Sequence, residues 1–291
     1  MAPRTLILDT NVFYNLGAGS LKPSAIGSGN DTLAVSPVSI FEIAGKLTSR
    51  TFAERKAAAQ AILSHACLEL PDPDTHLARD IFGYTLDYIP MTFGEGTKAM
   101  AQSPNVRALV AGIADLTDGM LRRVSVPKAH GWRLTTEGKW VKDLTKIQRD
   151  TIPKFAKWEK GDRKKPVPRL KGQARDDFLA STTSIEWASA LVMGCQERAL
   201  LCAKKDKSLM PTKASAALLS QAIDKVACYC AVYTRYLIKL LTDGALPKPN
   251  DSGDIELFLY ATDDTKVVVT SEKKWVSFAT DAGFGNRVLL V

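Results

Sequence analysis

The sequence has 291 residues, enough for one large domain or two small ones and for a core that needs neither disulfides nor a structural metal. Its composition of 45% hydrophobic and 24% charged residues excludes wholesale disorder. No apolar run approaches the roughly 18 residues that cross a bilayer, and Asp9 interrupts the first one, so we expect a cytoplasmic protein without a membrane partner. The net charge of +8 is concentrated in one region, described below.

The N-terminal part of the chain alternates between strand and helix patterns. Short apolar runs predict extended segments at 5–8, 33–38 and 68–70. Helical spacing predicts helices at 39–47, 53–65 and 75–82.

The middle of the chain has a different character. A helical pattern covers 105–124, and 126–172 is basic and interrupted by prolines, so we expect an irregular excursion there, ordered on a partner. Residues 139–175 contain thirteen Lys and Arg against four Asp and Glu, an excess that attracts phosphate polyanions. Two long amphipathic helices at 174–204 and 212–243 should pack together.

The C-terminal part returns to alternation. It predicts a helix at 251–261, a strand at 266–270, a helix at 275–282 and a strand at 287–291. Strands that alternate with helices predict an α/β fold with a mainly parallel sheet. The two ends would form one discontinuous domain, 1–104 and 245–291, interrupted by a helical insertion at 105–244 with the basic segment 126–175.

Four acidic residues are expected near the carboxyl ends of the strands, the edge at which parallel sheets bind ligands. Asp9 follows the first strand, Glu42 and Asp254 lie at the starts of helices, and Glu272 follows the strand rich in valine. Carboxylates that lie together repel one another, and a hard cation such as Mg²⁺ or Mn²⁺ relieves that repulsion. Such a cluster can orient water at a phosphodiester.

These positions also have structural interpretations. Asp9 is suited to cap a helix. Ser39 and Glu42 have capping-box spacing, in which the glutamate bonds back to the Ser39 amide. Asp251 and Asp254 have N-cap and N3 spacing. Glu272 is suited to the first turn of a helix, where the helix dipole stabilises an acidic side chain.

In combination, these motifs resemble those of the PIN-domain nucleases, the family that includes the ribonuclease toxins of bacterial toxin–antitoxin pairs. The resemblance covers roughly the first 80 to 90 residues and the last 45, and leaves out the middle. It rests on four stretches: Leu6-Ile7-Leu8-Asp9-Thr10-Asn11, Ser39-Ile40-Phe41-Glu42, Asn250-Asp251 through Asp254 to Tyr260-Ala261, and Val268-Val269-Thr270-Ser271-Glu272 through Trp275.

The resemblance implies roles for individual residues. The catalytic metal ligands would be Asp9, Glu42, Asp254 and Glu272. Polar neighbours that support the site would be Thr10, Asn11, Asp251 and Thr270. The family usually carries Asp where this chain has Glu272, so the chain departs from the pattern there by one methylene.

The resemblance also implies a fold and an activity. The fold would be an α/β/α sandwich, and the activity Mg²⁺- or Mn²⁺-dependent endonucleolytic cleavage of RNA, less often of DNA. Candidate protein partners are an antitoxin and a second copy of the chain. The basic segment would supply RNA contacts, with its aromatics stacked on unpaired bases or, alternatively, packed on the body. The candidate contacts are Lys139, Lys142, Lys157, Arg163, Lys164, Lys165, Arg169 and Lys171.

Two other functions are compatible with the same residues. A degenerate PIN scaffold would bind RNA or protein without catalysis. A phosphatase similar to the haloacid dehalogenases would use Asp9 as its nucleophile, with Asn11 in place of that family's second Asp and with Asp263-Asp264 as the late acidic pair.

Overall fold

The centre of the molecule is a parallel sheet that joins the two ends of the chain. A computed structural model describes residues 2–45, 51–65, 67–86, 126–161, 163–203 and 216–291. The strands are β1 (Thr5–Leu8), β2 (Thr32–Val35), β3 (Leu68–Glu69), β4 (Lys266–Thr270) and β5 (Val288–Leu290). Their order is β3-β2-β1-β4-β5, and every neighbouring pair is parallel. The predicted α/β fold with a mainly parallel sheet is confirmed.

Helices connect the strands and fill most of the remaining described chain. They are α1 (Thr10–Gly17), α2 (Pro37–Gly45), α3 (Phe52–Ser64), α4 (Pro73–Thr75), α5 (Val126–Thr151), α6 (Phe155–Gly161), α7 (Gly172–Ser181), α8 (Ile185–Cys202), α9 (Ala216–Thr242), α10 (Asp251–Glu256) and α11 (Lys273–Asp281). A π-helical turn, His76–Ile81, continues α4, and a 3₁₀ turn, Leu257–Tyr260, continues α10. Over the described ranges, every helix is too short or too polar to cross a membrane.

Both faces of the sheet are apolar and covered by helices. Leu6 and Leu8 of β1 pack with α1, α2 and α3, whereas Ile7 packs with α9, α10 and α11. Successive residues of a strand point to opposite faces, so a strand buried on both sides is apolar throughout. This explains why β1 and β4 are continuous apolar runs.

The basic region at 126–172, predicted as an irregular excursion, instead contains α5 and α6. The prolines that suggested irregular structure lie where helices tolerate them. Pro127 is in the first turn of α5, and Pro153 lies between α5 and α6. Pro166 and Pro168 follow α6, where no helix continues.

The predicted helix at 174–204 is wrong in extent, because it is two helices, α7 and α8. Ser184 separates them, and its hydroxyl caps α8 by accepting a hydrogen bond from the Trp187 amide at 3.2 Å. The helix predicted at 212–243 is confirmed as α9 within the described residues, and it packs against α8 as expected. The helix predicted at 105–124 lies outside the described residues.

The helices of the middle region share their core with the sheet. Leu144 of α5 and Val232 of α9 are buried in the same cluster as Ile7 of β1. Arg198 of α8 forms ion pairs with Glu256 at the end of α10 and with Asp74 of α4, each at 2.8 Å. The boundaries of the nuclease-like part and the insertion stay a prediction, but the two parts pack as one body.

Candidate metal centre

Asp9 lies at the centre of the carboxyl edge of the sheet. Its amide donates to the Val269 carbonyl at 3.0 Å, which continues the pairing of β1 with β4. Its buried carboxylate accepts a hydrogen bond from the Thr270 hydroxyl at 2.9 Å. Although Asp9 occupies the position before α1, its side chain does not cap that helix. The parallel register therefore brings one residue from each end of the chain into direct contact.

Glu42 reaches this edge from α2. Its carboxylate accepts a hydrogen bond from the Thr10 hydroxyl at 2.5 Å. The capping box with Ser39 is wrong, because α2 begins two residues earlier, at Pro37, and Ser36 is the cap. The Ser36 hydroxyl accepts from the Ser39 amide at 3.2 Å, and the Ser39 hydroxyl donates to the Leu8 carbonyl at 3.2 Å. The Glu42 carboxylate is thus directed to the sheet edge and not to the helix start.

Asp254 is buried in the first turn of α10, close to Glu42. Its carboxylate accepts a hydrogen bond from the Trp275 indole at 3.0 Å. Gly253, the preceding residue, lies so close to α2 that a Cβ there would be 3.4 Å from Glu42 Oε1. Asn250, and not Asp251, occupies the N-cap position of α10. The structure thus brings Asp254 to the same site as the two N-terminal candidates.

Asp251 holds α10 in place from the other side. Its carboxylate accepts a hydrogen bond from the Tyr236 hydroxyl at 2.7 Å and an ion-paired one from Lys274 at 2.6 Å. Both oxygens are therefore used by protein donors, which suits a supporting role better than a ligand role.

Glu272 completes the group, in spite of its extra methylene. Its amide donates to the Thr270 hydroxyl at 3.1 Å. One carboxylate oxygen accepts from the Asn11 side chain at 3.4 Å, and the other lies 2.9 Å from Lys274 Nζ. The side chain is about one-third exposed, whereas those of Asp9 and Asp254 are buried.

Burial and mutual repulsion raise the pKa of two of these carboxylates. The pKa of Asp9 rises to about 6, first because the group is removed from water and then because Glu42 and Glu272 repel its charge, while the Thr270 hydrogen bond acts in the opposite direction. Burial also raises the pKa of Asp254 well above its usual range, and Asp9, Glu42 and Glu272 add to the effect. The four candidate ligands therefore share one electrostatic environment.

Lys274 is a residue of this site that the sequence analysis did not single out. Its ammonium lies 2.6 Å from Asp251, 2.9 Å from Glu272 and 3.8 Å from Asp254. Lys274 lies in the first turn of α11, where a positive charge is unfavourable because of the helix dipole. A lysine at such a position is a sequence signal for acidic side chains close to it in the fold. Among the described residues, no three Asp, Glu, His or Cys side chains are grouped closely enough to hold a metal ion as they stand. Here the carboxylates are bonded to hydroxyl, indole and ammonium donors.

The basic residues of the middle region are exposed, whereas its described aromatics pack on the body of the protein. All thirteen Lys and Arg of residues 139–175 are exposed, the eight candidate RNA contacts among them. Phe155 and Trp158 are buried with Leu241, and Trp140 packs on Tyr236 with ring centroids 5.7 Å apart. Base stacking by Phe155 and Trp158 is therefore wrong, because both side chains are buried. Trp140 packs on the body but is only partly buried, so base stacking by Trp140 stays a prediction. The side chain of Trp132 lies outside the described residues.

Helix α5, which carries exposed basic residues, packs next to the elements that carry the acidic group. Trp140 contacts Tyr236, whose hydroxyl bonds to Asp251. Helix α5 also packs against α2, which carries Glu42. Lys139 and Lys142 therefore lie on an element that borders the candidate site.

The acidic pair required by the phosphatase alternative lies elsewhere. Asp263 and Asp264 precede β4, at the end of the sheet opposite to Asp9. Asp263 accepts hydrogen bonds from Thr265, and Asp264 pairs with Arg287 at 3.0 Å. A phosphatase that combines Asp9 with this pair is therefore excluded.

Comparisons with models of protein families, with curated proteins and with solved structures find no match to this chain.

The raised pKa of Asp9 predicts that ionisation of the group destabilises the fold when no divalent cation is bound. Between about pH 4 and 6 the folded protein retains a proton that the unfolded chain, with its usual pKa of 3.8, has lost. The free energy of unfolding should therefore fall as the pH rises through this window. Asp9→Asn keeps an acceptor for Thr270 and removes the charge. Relative to that of the wild type, its free energy of unfolding should therefore increase by up to about 3 kcal/mol as the pH rises from about 4 to 6.

Urea unfolding in the presence of EDTA, at several pH values from about 4 to 7, measures this difference. A difference between variant and wild type that does not change with pH would contradict the assignment of the raised pKa to Asp9.

Proposed function

We propose that the protein is a divalent-metal-dependent endoribonuclease with a PIN-like α/β/α fold, which hydrolyses RNA phosphodiester bonds with Mg²⁺ or Mn²⁺. One observation carries this proposal: Asp9, Glu42, Asp254 and Glu272, from both ends of the chain, lie close enough at the carboxyl edge of a parallel sheet for their charges to interact. All of their donor atoms are oxygens, which suit these cations. Their mutual repulsion in a buried site favours the binding of a cation.

Each proposed ligand is oriented by a neighbouring donor. Thr270 holds the Asp9 carboxylate, Thr10 holds that of Glu42, and the Trp275 indole holds that of Asp254. Such hydrogen bonds fix ligand geometry in metal sites. When bound, the cation would lower the pKa of a water molecule and stabilise charge on the phosphodiester.

Glu272 has a different place in the proposed site. It is more exposed than Asp9 and Asp254 and has Lys274 and Asn11 as neighbours. From this position its carboxylate can face an incoming phosphodiester and accept a proton from attacking water. PIN-domain nucleases usually have Asp at this position, and the longer side chain of Glu272 is compatible with this role.

The substrate and partners are proposed on separate grounds. The exposed basic residues around α5 and α6 favour a polyanion such as RNA, through contacts with phosphates. Cleavage of RNA in preference to DNA, a toxin role, an antitoxin and a homodimer rest on the resemblance alone. A cytoplasmic location rests on the sequence pattern, in which no apolar run is long enough to cross a bilayer.

The alternative is a degenerate PIN scaffold that binds RNA without cleavage, and one specific observation favours it. Lys274 forms ion pairs with Asp251 and Glu272, and its ammonium supplies positive charge to the group without a metal. A carboxylate-dependent Mn²⁺ site, measured by calorimetry, separates the two functions, because an inert scaffold would have none.

Asp9→Asn should abolish Mn²⁺-dependent RNA cleavage, because it removes the charge of the most central proposed ligand. We expect a loss of at least about 100-fold in the cleavage rate, with the fold and RNA binding retained. Asp224→Asn, an exposed substitution on α9, is the control and should cleave like the wild type. Cleavage by Asp9→Asn at the wild-type rate would reject the proposed site.

Reversal of charge on α5 should weaken RNA binding without changing the carboxylate site. The double variant Lys139→Glu with Lys142→Glu, in the Asp9→Asn background, should bind RNA at least about 10-fold less tightly and show a shallower dependence of affinity on salt. Lys22→Glu, at an exposed lysine distant from α5 in the sequence, is the control in the same background, and it makes half of the charge change. If it produces half of the double variant's loss in binding free energy, net charge and not α5 accounts for the effect.

A further inference from the structure

The chain that follows α5 folds around an apolar core of its own. We call the described residues between 152 and 171, which include α6, the α6 unit. Phe155 and Trp158 of α6 are buried with Leu241 of α9, and the Trp158 indole donates a hydrogen bond to the Lys165 carbonyl at 2.9 Å. The two aromatic side chains therefore hold the α6 unit together from within.

The α6 unit is also fastened to the helices beside it. Arg149 of α5 forms an ion pair with Glu159, in which guanidinium nitrogens donate to both carboxylate oxygens at 2.9–3.2 Å. The Leu170 amide donates to the Leu241 carbonyl at 2.8 Å. The charges on the surface of the α6 unit therefore have fixed positions relative to the rest of the fold.

The surface of the α6 unit is positively charged. Residues 152–171 contain eight Lys and Arg against two Asp and Glu, and all eight basic residues are exposed. Lys157 and Lys160 lie three residues apart on one face of α6. Together with the small residues Ala156 and Gly161, they line an open groove of about 510 Å³. A groove with two ammonium groups attracts phosphate oxygens.

Charge without exposed aromatics favours one structural class of nucleic acid. Proteins that bind single strands combine a basic groove with aromatic side chains on which the bases stack. Both aromatics of the α6 unit are in its core, so its described surface offers charge alone. Double-helical RNA is recognised mostly through its phosphates and 2′-hydroxyls. Its regular phosphates also suit charges that are already fixed, since little further ordering is needed on binding.

We propose that the α6 unit is a docking surface for the phosphate backbone of double-helical RNA. The inference adds a class of substrate to the proposed function and rests on that function for the choice of RNA over DNA. Helix α5 connects this surface to the acidic group, because Trp140 contacts Tyr236, whose hydroxyl bonds to Asp251. From Trp140 to Arg149 the helix rises about 14 Å, so a duplex that docks on the α6 unit can extend to the carboxylates.

Fluorescence anisotropy in the presence of EDTA measures binding separately from cleavage. The probes are a labelled RNA duplex of about 16 base pairs and an unstructured single strand of the same length. The wild type should bind the duplex at least about 10-fold more tightly than the single strand. Lys157→Glu and Lys160→Glu, made singly, should each weaken duplex binding at least about 5-fold and make its salt dependence shallower.

Lys22→Glu is the matched control, because it makes the same change of charge at an exposed lysine outside the α6 unit. Its affinity for the duplex should stay within about 2-fold of that of the wild type. Sedimentation with vesicles that contain phosphatidylserine tests anionic lipid as the partner in place of RNA.

Three outcomes would overturn the inference while the proposed function stands. The first is a single strand bound as tightly as the duplex, and the second is an equal loss of duplex binding in Lys22→Glu and in the two α6 variants. The third is a loss of vesicle binding in the α6 variants with unchanged duplex binding, which would identify a lipid surface as the partner. Absence of Mn²⁺-dependent cleavage by a wild type that binds the duplex as expected would overturn the nuclease function and leave the docking surface.

Discussion

Like-charged carboxylates are buried together at the carboxyl edge of the sheet, and the arrangement of the site follows from how they are compensated. Asp9 and Asp254 are only 2% and 7% exposed. An uncompensated buried charge costs several kcal/mol, so each carboxylate needs donors or a proton. Thr270 and the Trp275 indole supply hydrogen bonds, and Lys274 supplies charge. The same demand for positive charge is what would draw a divalent cation to the group.

The middle helices help to build this edge, although they come from the part of the chain without a family resemblance. Tyr236 of α9 bonds to Asp251, and Arg198 of α8 pairs with Glu256. Both acidic partners lie on α10, the short helix that presents Asp254. A helix of six residues has little stability of its own, so these contacts fix the orientation of Asp254. The insertion thus interrupts the α/β part in sequence and supports it in space.

The sheet and its acidic edge could be predicted because their signals are local and strong. The apolar runs at β1 and β4 can be buried only on both faces of a sheet, and the parallel arrangement that follows brings Asp9 and Thr270 together. Asp254 and Glu272 could be selected from the sequence because each lies close to the boundary of a predicted helix or strand.

Other features depended on contacts that sequence patterns do not contain. Helix α5 was not predicted because Pro127 was interpreted as a helix-breaking residue. Pro127 lies in the first turn of α5, where proline is tolerated. Ser39 was chosen as the cap of α2 in place of Ser36, because the S-x-x-E spacing is present whether or not a capping box forms. The role of Lys274 depends on the approach of α10 to α11, which brings three carboxylates to one ammonium.

In the proposed metal centre, carboxylates from both ends of the chain bind one cation. Diffraction from crystals soaked in Mn²⁺, recorded at a wavelength where manganese scatters anomalously, would locate that cation. We expect an anomalous peak within coordination distance, about 2.0–2.3 Å, of carboxylate oxygens of Asp9 and of Glu42 or Asp254. An edge without a peak, in crystals that bind manganese elsewhere or not at all, would contradict it.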